Sequence, residues 1–174
     1  MIAASAAAAL FQLRHMRSSN QIVALTECRE TLESPEFREA QRFVSFELPK
    51  RLKDPAERHR AAQLPFIGEY EAIGTVANFF ESMGMFVKTG IIDKELACDF
   101  WCYAVVRNWN ALAPVTTYVR KTLNLPQLWE NFEYMAALSD QFMKTHPAGV
   151  FPAGAKRMPE DTSLLESSRE SHVS

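Results

Sequence analysis

The chain has 174 residues and a mass of 19.7 kDa, is 47% hydrophobic and 23% charged, and so has the material for one packed domain. Nineteen Lys plus Arg against 21 Asp plus Glu leave a formal charge of -2, which excludes a general electrostatic attraction to nucleic acid or anionic lipid. Six Gly and nine Pro exclude a collagen-like or low-complexity chain, and three Cys exclude a disulfide framework, so a reducing compartment is the simpler reading.

Met1 to Leu13 carry no charge and are mostly Ala, Leu, Ile and Phe, and Arg14-His15-Met16-Arg17 follows. Thirteen helical residues rise roughly 20 Å against about 30 Å of bilayer core. The stretch reads as the latter part of a membrane-spanning helix, with the basic flank expected on the cytoplasmic side. It also reads as an Ala-rich helix that packs on its own domain or on a second copy. One helix is predicted from about Ala3 to Leu32, its later face marked by Ile22, Leu25, Cys28 or Arg29, and Leu32.

Ser34 can cap a second helix with Pro35 in its first turn, carrying Phe37, Ala40 or Gln41, Val44 and Leu48 until Pro49 stops it. Phe37, Phe43 and Phe46 make that helix's apolar face wider than one partner needs, which points to self-association. Asp54 and Glu57 form a capping box for a short polar helix ending near Pro65. The central helix has two apolar stripes: Phe66, Tyr70, Ile73, Ala77, Phe80, Gly84 and Val87, and Ile67, Gly74, Val76, Phe79, Met83 and Phe86. So broad a surface requires at least two covering neighbours, and Gly74 and Gly84 suit close helix approach. Gly90 reads as its C-terminal signal and Asp93 as the next N-cap. The following helix, about Lys94 to Asn108, is predicted to bury Leu96, Phe100, Trp101, Ala104 and Val105, with Pro114 interrupting the pattern. A last helix from Pro126 carries Leu128, Trp129, Phe132, Met135, Leu138 and Phe142 and closes at His146-Pro147.

The reading is all-α: residues 1–32 a long N-terminal helix, 34–146 a bundle of four to five helices, and 147–174 a disordered tail holding three of the nine Pro and two of the six Gly.

The chemistry-bearing residues are sparse. Phosphate loops, nucleophile elbows and zinc-protease helices are missing, and none of His15, His59, His146 and His172 has Glu three positions before it, as a di-iron bundle requires. Cys98 and Cys102 share a helix face, but two thiols fall short of a zinc site. No metal or cofactor is expected, and no catalytic residue is assigned. The best polar set is Asn78, Glu81, Asp99, Arg107 and Asn108. An Arg107–Glu81 pair would tie two core helices, whereas the same acids in a cleft would offer a base. Lys50, Arg51, Lys53, Arg58 and Arg60 form a basic patch suited to an anionic surface. It lacks interleaved aromatics and sits within residues 27–60, which hold eight basic and eight acidic side chains, so nucleic acid is not expected.

Gln12-Leu13-Arg14-His15-Met16-Arg17-Ser18-Ser19-Asn20-Gln21 and Ser34-Pro35-Glu36-Phe37-Arg38-Glu39-Ala40, with Asn78-Phe79-Phe80-Glu81, Gly90-Ile91-Ile92-Asp93 and Trp109, resemble an uncharacterised bacterial domain family. The resemblance spans about residues 10–145. It implies a small helical domain commonly preceded by a single membrane-spanning segment, and it implies no activity.

The leading expectation is a non-enzymatic, membrane-associated interaction or scaffold domain at the cytoplasmic face of a bacterial inner membrane. Its partner, or a second copy, would bind through the N-terminal helix. Two alternatives stand beside it. One is a soluble cytoplasmic helical module binding a small apolar ligand in a cavity lined by Phe79, Met83 and Trp101. The other is an enzyme using the Glu81, Asp99 and Arg107 region.

Overall fold

Three helix starts in this chain are set by short polar side chains that accept the first free backbone N–H groups. The computed structural model, which describes residues 2–162, shows the expected all-α architecture. The elements are α1 (Ile2–Glu33), α2 (Pro35–Arg42), a π-helical turn (Phe43–Glu47), α3 (Leu48–Arg51), α4 (Pro55–Arg60), a 3-10 turn (Gly68–Tyr70), α5 (Glu71–Lys88), α6 (Lys94–Thr122) and α7 (Glu130–Thr145). Ser34 caps α2 through the Phe37 N–H, Asp54 caps α4 through the Ala56 N–H, and Asp93 caps α6 through the N–H groups of Glu95 and Leu96. Helix α5 ends in a Schellman motif. Gly90 takes φ +72° and donates to the Val87 carbonyl, and Ile91 donates to that of Phe86.

The core lies where α5 and α6 both pack on α7, with α2 covering the far side of α5. Phe80, Phe132, Ile73, Met83, Met135 and Leu112 are fully buried there. Phe80 stacks on Phe132 at 4.9 Å, and Phe37 of α2 meets Phe79 edge-on at 4.8 Å.

Several boundaries differ from the sequence expectation. Pro49 does not stop the second helix. Pro49 offers no N–H to the carbonyl one turn back, and the chain widens just before it into the π turn, where Leu48 N–H reaches the Phe43 carbonyl. Pro114 lies inside a continuous α6 with its ring exposed. Phe66 and Ile67 precede α5 rather than belonging to it. Phe100 is 66% exposed, and Ala97 and Cys98 take the buried positions instead. Phe37 is buried and Phe43 half-buried, which leaves Phe46 as the exposed member of that trio. Residues 147–162 form no helix or strand, and the rest of the expected tail lies outside the described residues.

The membrane reading is corrected by the structure. No helix among the described residues is long and apolar enough to cross a membrane. In α1 the charge-free run from Ile2 ends at Leu13, roughly 18 Å of helix, before Arg14 and Arg17. Among the described residues, a membrane-associated scaffold placed at the cytoplasmic face of an inner membrane therefore has no spanning helix to rest on.

The expected oligomer or partner contact through the N-terminal helix is corrected as well. The buried side chains described in α1, Ala24 and Cys28, join this chain's own core, where α1 meets α2. Among the described side chains of α1, Met16, Ile22 and Val23 are exposed, and Gln12, Ser19, Thr26 and Glu30 share the face of Met16 and Val23, so these residues form no continuous apolar stripe.

Candidate functional site

The five residues of the polar set go to separate tasks. Asn78 and Glu81, one turn apart on α5, both serve the start of α7. Asn78 accepts the Trp129 indole N–H at 2.9 Å. Glu81 accepts the Asn131 side-chain amide at 2.7 Å and the Phe132 backbone N–H at 2.9 Å. Trp129, at φ 56°, occupies the N-cap position of α7 with no capping side chain, so Glu81 supplies the cap from another helix. Gly84 completes the stripe, since a Cβ there would stand 2.0 Å from the Asn131 carbonyl oxygen. Arg107 does not meet Glu81, because its guanidinium lies 5.5 Å from the Phe46 ring. Asn108 is buried on α6 and donates to the Ala104 carbonyl at 2.7 Å. Asp99 is exposed on α6.

The basic patch is largely committed within the chain. Arg51 pairs with Glu69 and with Glu57, the latter at 3.4 Å, and Arg60 pairs with Glu57 at 2.8 Å. Arg58 donates to the carbonyls of Leu52 and Lys53, and Lys50 to Glu47 at 3.2 Å, while Lys53 is exposed. Tyr70 donates its hydroxyl to Glu57. That hydrogen bond, with the nearby guanidinium groups, holds the Glu57 carboxyl below the usual glutamate range. Burial and Glu57 push the Tyr70 hydroxyl above the usual tyrosine range. An open concavity of about 530 Å³ adjoins this network, lined by Arg60, Gln63, Glu69 and Tyr70 together with Pro65 and Ile67.

A different groove has the mixed lining of a ligand site. It runs between the first turns of α6 and the last turns of α7, with a volume of about 440 Å³. Leu96, Phe142 and Val150 form its apolar surface, and Glu95, Asp99 and His146 stand at its edge. Past Phe142 it adjoins a recess of about 190 Å³ reaching Cys98, Leu138 and Gln141. Burial pushes the Cys98 thiol up, against the opposing contact with the Ser139 hydroxyl, so the sulfur stays protonated and is a poor nucleophile. Phe79, Met83 and Trp101, the expected cavity lining, are packed in the core instead. Met83 is fully buried, and Phe79 touches Phe37 and Phe80.

Of the polar set, this groove takes only Asp99. Glu95 and Val150 were not marked by sequence reasoning, and Phe142 only as part of its helix's apolar face, because the groove joins positions about 50 residues apart with no shared motif. Among the described residues no group of three or more His, Cys, Asp or Glu side chains is placed to hold a metal ion.

Fold and groove together define an all-helical domain with a mixed apolar and acidic cleft at the ends of two packed helices. The family described as Domain of unknown function (DUF4760) matches residues 1–139, and the chain belongs to that family. No curated protein and no solved structure matches the chain.

Proposed function

We propose that this chain is a helical binding module that takes a small apolar ligand in the α6–α7 groove. The observation that supports it is the lining. Leu96, Phe142 and Val150 supply apolar surface and Glu95, Asp99 and His146 supply a polar edge, in about 440 Å³. Small-molecule sites combine a concave apolar surface with a few polar groups that set orientation, in this range of volume. Burying a ligand's hydrocarbon there contributes about 25 cal/mol per Å² of apolar area. The neutral Cys98 thiol in the adjoining recess favours reversible over covalent capture.

Benzyl alcohol, titrated into methyl-labelled protein and followed by NMR, tests the reading. Saturable shifts confined to the methyls of Leu96, Leu138 and Val150 are expected. Leu96→Trp, which fills the groove from a half-buried position, should remove them while leaving the melting temperature nearly unchanged, and Leu138→Trp should do so from the recess side. Shifts that never saturate, that centre elsewhere, or that persist in both variants overturn it.

A further inference from the structure

We infer that the ligand of the α6–α7 groove is an organic cation: a primary amine or comparable positive group on a small hydrocarbon body. The inference rests on the groove being a binding site and specifies the chemistry of its occupant. Glu95 and Asp99 lie one turn apart on α6, both exposed and both lining the groove. Glu57, Glu69, Glu130, Glu133 and Asp140 each have a Lys or Arg partner. The carboxylates of Glu95 and Asp99 make no ion pair or hydrogen bond among the described residues, so a bound cation would not have to displace one.

The helix ends reinforce the same sign. Helix α7 finishes at the groove, and its last carbonyls carry the negative end of the helix dipole. The opposing positive end of α6 is already covered by Asp93, which accepts the N–H groups of Glu95 and Leu96 at 2.9 and 3.0 Å. Two cations, one in the last turn of α7 and one in the segment after it, are turned to other work. Lys144 is bound to Asp140 at 2.6 Å, and Arg157 donates to the Ala148 carbonyl and lies 4.6 Å from the Phe151 ring. Lys94 lines the adjoining recess rather than the groove itself. A ligand with its hydrocarbon on Leu96, Phe142 and Val150 would thus present its charged end to Glu95 and Asp99, beside the Phe142 ring. An anionic ligand in the same pose would meet two carboxylates and a helix C-terminus.

Three probes of one shape test this on the full chain: benzylamine, benzyl alcohol and benzoate, titrated at low salt and neutral pH against the methyls of Leu96 and Leu138. Benzylamine is expected to bind on the order of tenfold more tightly than benzyl alcohol, and benzoate more weakly than either. The benzylamine advantage should shrink as salt is raised. In the Glu95→Gln, Asp99→Asn double variant benzylamine should lose its advantage over benzyl alcohol. Equal binding of all three probes, or an amine preference that survives in the double variant, overturns the cation while leaving the groove standing. Failure of every probe to shift these methyls removes the groove and the cation together.

Discussion

The Glu81 carboxylate on α5 accepts the backbone N–H of Phe132, the third residue of α7, at 2.9 Å. A helix whose own N-cap is a left-handed Trp is therefore capped by a side chain 51 residues earlier in the chain. Removing it leaves the Phe132 N–H and the Asn131 side-chain amide without their acceptor. Glu81→Ala should lower the unfolding free energy by about 1–3 kcal/mol in urea titrations, and Glu81→Gln, which keeps a carbonyl oxygen in place, should lose less. Equal losses in the two variants would show that the acceptor is not what Glu81 contributes.

Gly84 and Gly74 lie on the same helix and should respond in opposite ways to an added methyl. At Gly84 the new Cβ would sit 2.0 Å from a backbone oxygen, and backbone cannot step aside without moving α7. Gly84→Ala should cost about 2–3 kcal/mol or more. At Gly74 the nearest atom is 3.1 Å away and belongs to the Phe66 ring. The helix-propensity gain of about 1 kcal/mol there should offset a small shift of that ring, leaving Gly74→Ala near wild type. Paired thermal melts of the two variants measure the contrast.

The Glu57–Tyr70 contact gives stability a limb at each end of the pH scale. Glu57 is held below the usual glutamate range in the folded chain, so its contribution is present above that range and is lost as pH falls through the lowered value. Tyr70 is raised above the usual tyrosine range, so its contribution is full below that range and is lost as pH rises through the raised value. Urea midpoints measured across pH should show Glu57→Gln flattening the acid limb and Tyr70→Phe flattening both. An acid limb unchanged in Glu57→Gln would assign it to other carboxylates.

The three cysteines should differ in reactivity. Burial, helped by the Glu27 charge, raises Cys28 to about 11, and burial raises Cys98 as well. Cys102 is half-buried. Timed alkylation with N-ethylmaleimide at neutral pH, mapped by peptide mass, should label Cys102 first. Cys28 and Cys98 should follow only at the rate of local opening. Labelling of Cys28 as fast as Cys102 would contradict the packing of α1 against the bundle.

Local signals carried much of the fold. Ser34, Asp54 and Asp93 each cap the helix that follows, because an N-cap needs only one short polar side chain two or three residues from its N–H. The stripe Tyr70, Ile73, Ala77, Phe80, Gly84 and Val87 is buried as its spacing requires. Proline was the weaker guide. Pro49 and Pro114 both lie within helical runs, since packing of the flanking turns outweighs one lost hydrogen bond. The apolar start of α1 suggested a membrane, but among the described residues no helix is long and apolar enough to cross one.

Composition and periodicity by themselves determined that this protein is all-helical, where most of its helices begin and which face of α5 is buried. These follow from interactions within a turn or two of chain. Only the tertiary structure decided that Glu81 caps α7, that Gly84 admits its backbone, and that Glu95, Asp99, Phe142 and Val150 share one groove. Each of those joins residues some 50 positions apart, and such a contact exists only once helix packing has chosen which turns of which helices lie side by side.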